Sequence, residues 1–236
     1  MDTKLLVCTH KDVSIPFLDG KDEYTIIQSG PVSAPNLGFI RADSFCNIGY
    51  LNEYFSEVEV HYWAWKNLKC DVIGILHYHR FLCYEDKLIT KDVIETLLED
   101  NDFLVPTYYT TKVPIKMLFM RYSSLVSFDL LHTILSKKYP EYLSTYYDLI
   151  GEQQFINFNI LVCKKSLFDS YCEWLFGILF EFLDKVKKEP YCQSIPPSNR
   201  ICGYLSEILF GVYLSYNNYK YLNLPLKIYD ATEFDR

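Results

Sequence analysis

The feature that most constrains the fold is the stretch of residues 51–82, where an amphipathic segment precedes a short apolar run and a polar cluster. Apolar side chains recur there at the spacing of one helix face, namely at Leu51, Tyr54, Phe55, Val58, Tyr62 and Trp65. The apolar run at 72–76 has the length and composition of a strand buried in a parallel sheet. The stretch therefore predicts one continuous helix, a turn and a buried strand.

The polar cluster that follows this strand contains His77, His79 and Arg80. Ligands of open α/β sheets bind beyond the carboxyl ends of the strands, so the cluster is a candidate site. On an extended strand, residues 77 and 79 would share a face, and two imidazoles there can bind a metal. Arg80 can instead grip a phosphate through two hydrogen bonds. The structural alternative is a histidine buried in the core and an arginine paired with a nearby carboxylate.

The rest of the chain alternates strand and helix patterns, which predicts an α/β fold with a mainly parallel central sheet flanked by helices. Further strands are predicted at 4–8, 24–28, 103–106, 158–163 and 221–228. Helices are predicted at 91–99, within 107–149, from Ser166 onward and at 199–216, and loops at 31–50 and 185–198. We expect one domain over residues 1–230, with 231–236 as a C-terminal tail.

Composition narrows the class of protein. The formal net charge of −7 argues against a nucleic-acid-binding protein, because no overall basic field would attract phosphates. The eight cysteines include no CxxC pair, and the N-terminus lacks the pattern of a signal peptide. The most apolar segment, 167–183, is interrupted by acidic residues and falls short of a membrane span. We expect a cytoplasmic protein, with peripheral association at the inner face of the cell membrane left open.

Two further groups of residues are candidates for a site. Thr9, His10 and Lys11 follow the first predicted strand, where the lysine can meet a phosphate. In the last predicted helix, Arg200 and Glu207 lie about two turns apart on the side opposite the apolar stripe. This second pair suits a catalytic role, a structural salt bridge or a solvated helix face. The only DxD-type pair, Asp100–Asn101–Asp102, precedes a strand, which favours a polar turn over a metal site.

The order of these motifs resembles a bacterial glycosyltransferase family that occurs in capsular and exopolysaccharide gene sets and was long described only as a domain of unknown function. The resemblance runs from Lys4 to about Leu214. Its matching pieces are THK at 9–11, Asp43 with Asn47, YWAWKN at 62–67, IGILHYHRF at 73–81, NILVCKK at 159–165 and RICGYLSEIL at 200–209. The family pattern usually reads HYRRYF, whereas His79, Phe81 and Leu82 here replace its first Arg, its Tyr and its Phe, which leaves an HxH metal site open.

The resemblance implies a GT-A-like, Rossmann-like fold that binds a nucleoside diphosphate sugar. Cationic side chains would take the place of a metal at the diphosphate, because they stabilise the same developing charge. The implied diphosphate ligands are His77, His79 and Arg80, with Lys11 or Lys66 assisting. The implied nucleotide ligands are Thr9, His10, Asp43 and Asn47. Glu207 would be the base of an inverting transfer, and Arg200 would orient it or contact the acceptor.

The implied activity is transfer of a hexose, galactofuranose being one candidate, from a UDP-linked donor to a glycan or polyprenyl-linked acceptor in polysaccharide biosynthesis. We expect no metal site and no resident cofactor, with dependence on a divalent ion such as Mn²⁺ left open. One alternative is a metal-dependent transferase of the same fold that uses His77 and His79. Another is a noncatalytic glycan-binding or scaffold subunit.

Overall fold

Over residues 1–122, 124–188 and 200–235, which the computed structural model describes, the chain forms a ten-stranded sheet and a two-stranded ribbon. The strands are β1 Thr3–Thr9, β2 Tyr24–Gln28, β3 Ile40–Arg41, β4 Val72–His77, β5 Arg80–Tyr84, β6 Lys87–Leu88, β7 Phe103–Pro106, β8 Tyr109–Thr110, β9 Gln154–Phe155, β10 Leu161–Lys164, β11 Tyr221–Leu224 and β12 Leu226–Ile228. The helices are α1 Asn52–Phe55, α2 Val58–Asn67, α3 Lys91–Asp100, α4 Ile115–Phe119, α5 Leu125–Lys138, α6 Leu143–Gly151, α7 Lys165–Lys188 and α8 Ile201–Tyr216.

The main path of the sheet runs β11-β7-β10-β4-β1-β2-β3. All of its neighbouring pairs are parallel except those of β10, which runs antiparallel to both β4 and β7. Strand β5 turns back from β4 and pairs with β6 and β12, while β8 and β9 form the separate ribbon. The predicted α/β class with a mainly parallel sheet is therefore confirmed.

Alternating side chains of the central strands pack into two cores, one on each face of the sheet. Leu6 of β1 and Ile73 and Ile75 of β4 face the larger core, which contains helices α2, α5, α7 and α8. Leu5 and Leu76 face the smaller core, with α3 and β5. Burial on both faces explains why β4 reads as an unbroken apolar run rather than an alternating one.

The predicted continuous helix after residue 51 is wrong, because the chain breaks it into α1 and α2 at Ser56. Ser56 has φ 50° and ψ −131°, a left-handed value that ends the hydrogen-bonding pattern of α1. Glu57 then occupies the N-cap position of α2. The apolar spacing continues across the break, so periodicity alone could not show it. The break directs the start of α2 toward the carboxyl edge of the sheet.

Two predicted strands are shorter than expected. The strand expected at 158–163 begins only at Leu161, since Phe158 and Asn159 have left-handed φ values of 77° and 54°. The strand expected at 221–228 is split at Pro225, which has no N–H to donate to a sheet. The loop expected at 185–198 starts later, because α7 continues to Lys188, and residues 189–199 lie outside the described part of the chain.

The segment expected as a C-terminal tail packs against the domain over residues 231–235. Phe234 is buried and contacts Phe17 and Tyr229 with its ring. Asp235 forms an isolated bridge with Val13. This segment therefore borders the end of β1. No helix in the described ranges is long and apolar enough to cross a membrane.

Candidate functional site

Two adjoining cavities open at the sheet edge where β1, β2 and β4 end. We call the larger one, of about 570 Å³, the basic cavity, and the smaller one, of about 230 Å³, the aromatic cavity. Both cavities are lined by the same four charged or ionisable residues, which are Glu57, His77, Arg80 and Arg200. Because parallel strands present their carboxyl ends at one edge, residues distant in sequence meet there.

The basic cavity collects side chains from three strand ends. His10 and Lys11 follow β1, Ser29 and Gly30 follow β2, and residues 77–80 form the turn between β4 and β5. The cations on its wall are Lys11, Arg80 and Arg200. This local excess of positive charge contrasts with the net charge of −7 of the whole chain. The cavity therefore suits an anionic ligand.

Arg80 lies at the junction of the two cavities and has no carboxylate partner within the described residues. Its guanidinium donates to Nδ1 of His77 at 3.1 Å and lies 4.3 Å from the centre of the Phe158 ring. These contacts use only part of the five N–H donors of an arginine. The remaining donors can bind an anion with two parallel hydrogen bonds. The alternative in which Arg80 pairs with a nearby carboxylate does not match the described geometry.

His77 is a neutral hydrogen-bond donor rather than the cation expected from the sequence. Burial lowers its pKa to about 4, with Glu57 opposing and Arg80 adding to the shift. Because Arg80 can only donate, Nδ1 of His77 must accept, and the proton resides on Nε2. Nε2 is buried and has no partner among the described residues.

Glu57 is the anion between the two cavities. Its carboxylate forms an ion pair with Arg200 and accepts a hydrogen bond from Nδ2 of Asn159 at 3.1 Å. Burial raises the pKa of Glu57, but His77, which carries a charge only in acid, and Arg200 outweigh the effect of burial, so the net shift is downward. Glu57 thus stays ionised. The break at Ser56 places Glu57 on the walls of both cavities.

Two left-handed residues before β10 hold the buried side of the aromatic cavity. The Asn159 side chain donates to the carbonyl of Gly203 at 3.1 Å and accepts from Oγ of Ser206 at 2.7 Å. The N–H of Phe158 donates to Oε1 of Glu207 at 3.1 Å. Left-handed φ values at two adjacent non-glycine residues store strain, which is typical of functional sites. The 158–159 segment therefore links α8 to the start of α2.

Glu207 projects from α8 into the aromatic cavity and is 8% exposed, so the solvated face considered from the sequence is wrong. Burial raises the pKa of Glu207 to about 8, and the negative charge of Glu57 adds to this rise. The hydrogen bond from the Phe158 N–H and the positive charges of Arg200 and Arg80 act in the opposite direction. Arg200 pairs with Glu57 rather than with Glu207. A carboxyl with a pKa near neutrality can take up and release a proton at physiological pH.

Glu207→Gln should stabilise the protein at high pH and not at low pH. A raised pKa in the folded state means that the wild type is most stable below the unfolded pKa, near 4.5, and loses stability as pH rises toward 8. Glutamine has no proton to lose. We expect the difference in Tm, variant minus wild type, to grow by roughly 5–10 °C between pH 5 and pH 9.

Thermal unfolding across that range is the measurement, and Glu152→Gln, which removes an exposed carboxylate, is the control. A pH-independent difference would contradict the buried carboxyl.

Several residues expected to bind the nucleotide have other partners. Oγ1 of Thr9 accepts from the N–H of Lys11 at 3.1 Å and donates to its carbonyl, so this threonine shapes the turn after β1. Asp43 is held by Arg41, and Asn47 bonds backbone groups of its own loop. Asp43 and Asn47 line neither cavity. Of the expected nucleotide ligands, the structure places His10 on the wall of the basic cavity.

The two expected assisting lysines differ in position. Lys11 lines the basic cavity, where its Nζ contacts Asp235 at 3.0 Å and donates to the carbonyl of Ala231 at 3.3 Å. Lys66 lies nine residues after Glu57, about 13 Å along α2, and its Nζ is 3.1 Å from the centre of the Trp65 ring. Lys66 therefore lines neither cavity, and the proposal below gives it no role.

The premise of the HxH metal site also fails. Strand β4 ends at His77, and Tyr78 and His79 form the turn to β5, so the two histidines do not share a strand face. The His79 ring stacks on Tyr78 with 4.6 Å between ring centres. Within the described ranges, no three His, Cys, Asp or Glu side chains are grouped as metal ligands. The described residues therefore do not form the HxH pair of a metal centre, and we derive no step through one.

The aromatic cavity contains residues that sequence reasoning missed. Its wall includes Tyr109, Phe119, Tyr122, Phe155, Phe158 and Tyr204. The Tyr122 and Tyr204 rings are stacked, with 4.6 Å between their centres. These residues come from β8, α4, β9 and α8 and from the segments beside them. Tyr204 stands in the quoted motif at 200–209, but nothing in the sequence marked the other five among its 37 tyrosines and phenylalanines.

Comparison with known proteins agrees with this architecture. The structure is similar to the apo structure of the WbbM bifunctional glycosyltransferase, with a TM-score of 0.84 and 23% sequence identity. The match covers 98% of this chain but 46% of that protein, so the chain spans less than half its length. At this identity the likeness shows a shared fold. No curated protein sequence matches the chain. Residues 4–218 match the model of the family described as a domain of unknown function, DUF4422, and the chain therefore belongs to that family.

Proposed function

We propose that the protein is a glycosyltransferase that moves a hexose from a UDP-linked donor to a glycan or polyprenyl-linked acceptor in polysaccharide biosynthesis. One observation supports this most directly: a cation-lined cavity adjoins an aromatic-lined cavity, and a buried carboxyl faces the second. A diphosphate matches the charge of the first, and sugar rings pack on aromatic faces such as those of the second. The similarity to a bifunctional glycosyltransferase and the motif resemblance agree with this assignment.

In the proposed reaction the donor diphosphate lies in the basic cavity and its sugar points toward the aromatic cavity. The carboxylate of Glu207 takes the proton of an acceptor hydroxyl, whose oxygen attacks the anomeric carbon. The bond from that carbon to the β-phosphate oxygen breaks, and UDP leaves with the electron pair. The transfer inverts the configuration, because attack and departure occur on opposite faces of the sugar.

Preorganised donors stabilise the departing diphosphate in this proposal. Arg80 offers unused N–H groups, and Lys11 lines the same cavity, while the unpartnered N–H at Nε2 of His77 is buried beside Arg80. Charge that develops on the β-phosphate in the transition state meets these donors without solvent reorganisation. Arg200 remains paired with Glu57, so it holds the wall between the cavities and can contact the acceptor.

Titration with UDP in a calorimeter, with and without Mn²⁺, tests the proposal. We expect binding in the absence of metal, together with a rise in Tm at saturating UDP. Binding only with Mn²⁺ would favour the metal-dependent transferase. No binding of UDP or of the other common nucleoside diphosphates would favour a noncatalytic glycan-binding subunit. Donor screening with UDP-hexoses, including UDP-galactofuranose, would then identify the sugar.

A further inference from the structure

One segment of the chain carries exposed apolar side chains together with cations that form no ion pair within the described residues. It lies in residues 112–125, around α4, and consists of Lys112, Met117, Met120, Arg121, Tyr122 and Leu125, which we call the basic apolar patch. All six residues are exposed. Met117, Met120, Tyr122 and Leu125 have exposed fractions of 56%, 39%, 43% and 49%. Neither Lys112 nor Arg121 has an ion-pair partner within the described residues.

The opposite side of α4 fixes the orientation of the patch. Ile115 and Phe119, one helical turn apart, are buried in the larger core. Lys116, between them, lies over the ring of Phe128 with its Nζ 5.7 Å from the ring centre. The side of this segment that carries Met117 and Met120 therefore faces outward. Packing, rather than loop mobility, determines which side chains the patch presents.

The charge of this segment is unusual for the chain. Between Asp102 and Asp129 there is no acidic residue, although the protein contains 30 of them. Across the β8–β9 ribbon lies Glu152, whose backbone carbonyl accepts from the N–H of Ile115. Its side chain lines a separate cavity with Tyr108 and Tyr221. Glu57 and Glu207 line the aromatic cavity beside Tyr122. The patch is thus locally cationic on an acidic protein.

We propose that the basic apolar patch docks the protein on an anionic lipid surface. Methionine and leucine side chains would enter the boundary between headgroups and acyl chains, and Lys112 and Arg121 would contact lipid phosphates. A protein with a net charge of −7 is repelled by an anionic bilayer as a whole, so a local cationic face determines which way it approaches.

The basic apolar patch adjoins the aromatic cavity, so docking of the patch would also position that cavity. Tyr122 belongs both to the patch and to the wall of the aromatic cavity, and Tyr109, Leu118 and Phe119 of that wall come from the same part of the chain. Docking would bring the mouth of the aromatic cavity to the bilayer. This last step rests on the proposed function, under which a polyprenyl-linked acceptor would enter from the membrane side, whereas lipid binding itself does not.

Cosedimentation with vesicles tests the proposal. One set contains phosphatidylglycerol and phosphatidylcholine in equal amounts, and the other contains phosphatidylcholine alone. We expect binding to the anionic vesicles to be at least about tenfold tighter and to weaken with added salt, since each cation near such a surface contributes about fivefold. The double variant Lys112→Glu/Arg121→Glu should lose this preference. Met117→Ser/Met120→Ser should bind the anionic vesicles several-fold more weakly.

Phe45→Ser provides the matched control, because Phe45 is 85% exposed but lies outside the patch. It should bind vesicles like the wild type. Equal binding to both vesicle types, wild-type binding by the two double variants, or an equal loss in Phe45→Ser would each overturn the proposal. A dimer that Met117→Ser/Met120→Ser converts to a monomer would overturn it too, by making the patch an interface between copies. UDP titration of the same variants distinguishes failure of the docking proposal from failure of the proposed function, because it measures nucleotide binding independently of vesicle binding.

Discussion

Replacing Glu207 by glutamine is expected to lower the rate of sugar transfer by roughly 10²–10⁴-fold while leaving UDP affinity unchanged. Glutamine preserves the shape of the side chain, and its carbonyl can still accept the Phe158 N–H that now bonds Oε1 at 3.1 Å. It cannot take a proton from the acceptor. Transfer assays with the donor identified by screening, together with UDP titration, measure the two quantities. A variant that transfers sugar at the wild-type rate would remove Glu207 from the role of base.

The pH profile of the wild type distinguishes a base from a structural residue. The base must be ionised, and burial raises the pKa of Glu207 to about 8, so kcat/KM should rise with pH through that value. In Glu207→Gln the residual rate should show no such rise. Glu152→Gln, which alters an exposed carboxylate of a separate cavity, should keep the wild-type profile. A profile that is flat between pH 6 and pH 9 in the wild type would contradict the assignment.

The sequence predicted the sheet well because buried parallel strands have a strong local signature. Strand β4 is apolar at every position from Val72 to Leu76, and this reflects cores on both faces. The edge at which ligands bind follows from the parallel arrangement alone. Arg80 and His77 could therefore be located before any contact was known. Their charge states could not, since the neutrality of His77 depends on burial by the whole fold.

Residues that sequence reasoning missed depend on backbone geometry and on long-range contacts. Glu57 enters the cavities because Ser56 takes a left-handed conformation, which has no apolar pattern of its own. Asn159 contacts Glu57 and Gly203, which lie 102 and 44 residues away in the chain. Conversely, Lys66, which the resemblance implied as an assisting ligand, contacts the Trp65 ring and lines neither cavity.

Arg80→Ala is expected to weaken UDP binding by roughly 10–100-fold, since hydrogen bonds to charged groups contribute about 1.5–3 kcal/mol. Arg80 is the cavity cation with no carboxylate partner in the described part of the chain, so its loss is not offset by release of an anion. Arg80→Lys should restore only part of the affinity, because lysine keeps the charge but not the two parallel donors. Calorimetric titration with UDP is the measurement.

The controls for Arg80→Ala separate a diphosphate contact from a general loss of structure. Lys66→Ala removes a cation of the same domain that contacts the Trp65 ring outside both cavities, and it should bind UDP like the wild type. Uridine, which lacks phosphate, should bind equally to wild type and Arg80→Ala. Because Arg80 also packs on Phe158, the Tm of each variant is measured beside its affinity. Two outcomes would contradict the diphosphate contact: an Arg80→Ala variant that keeps the wild-type affinity for UDP, or one that lowers the affinity for uridine as much as that for UDP. Either would mean that the diphosphate is not held at the junction of the two cavities. The direction of the donor in the proposed reaction would then be wrong.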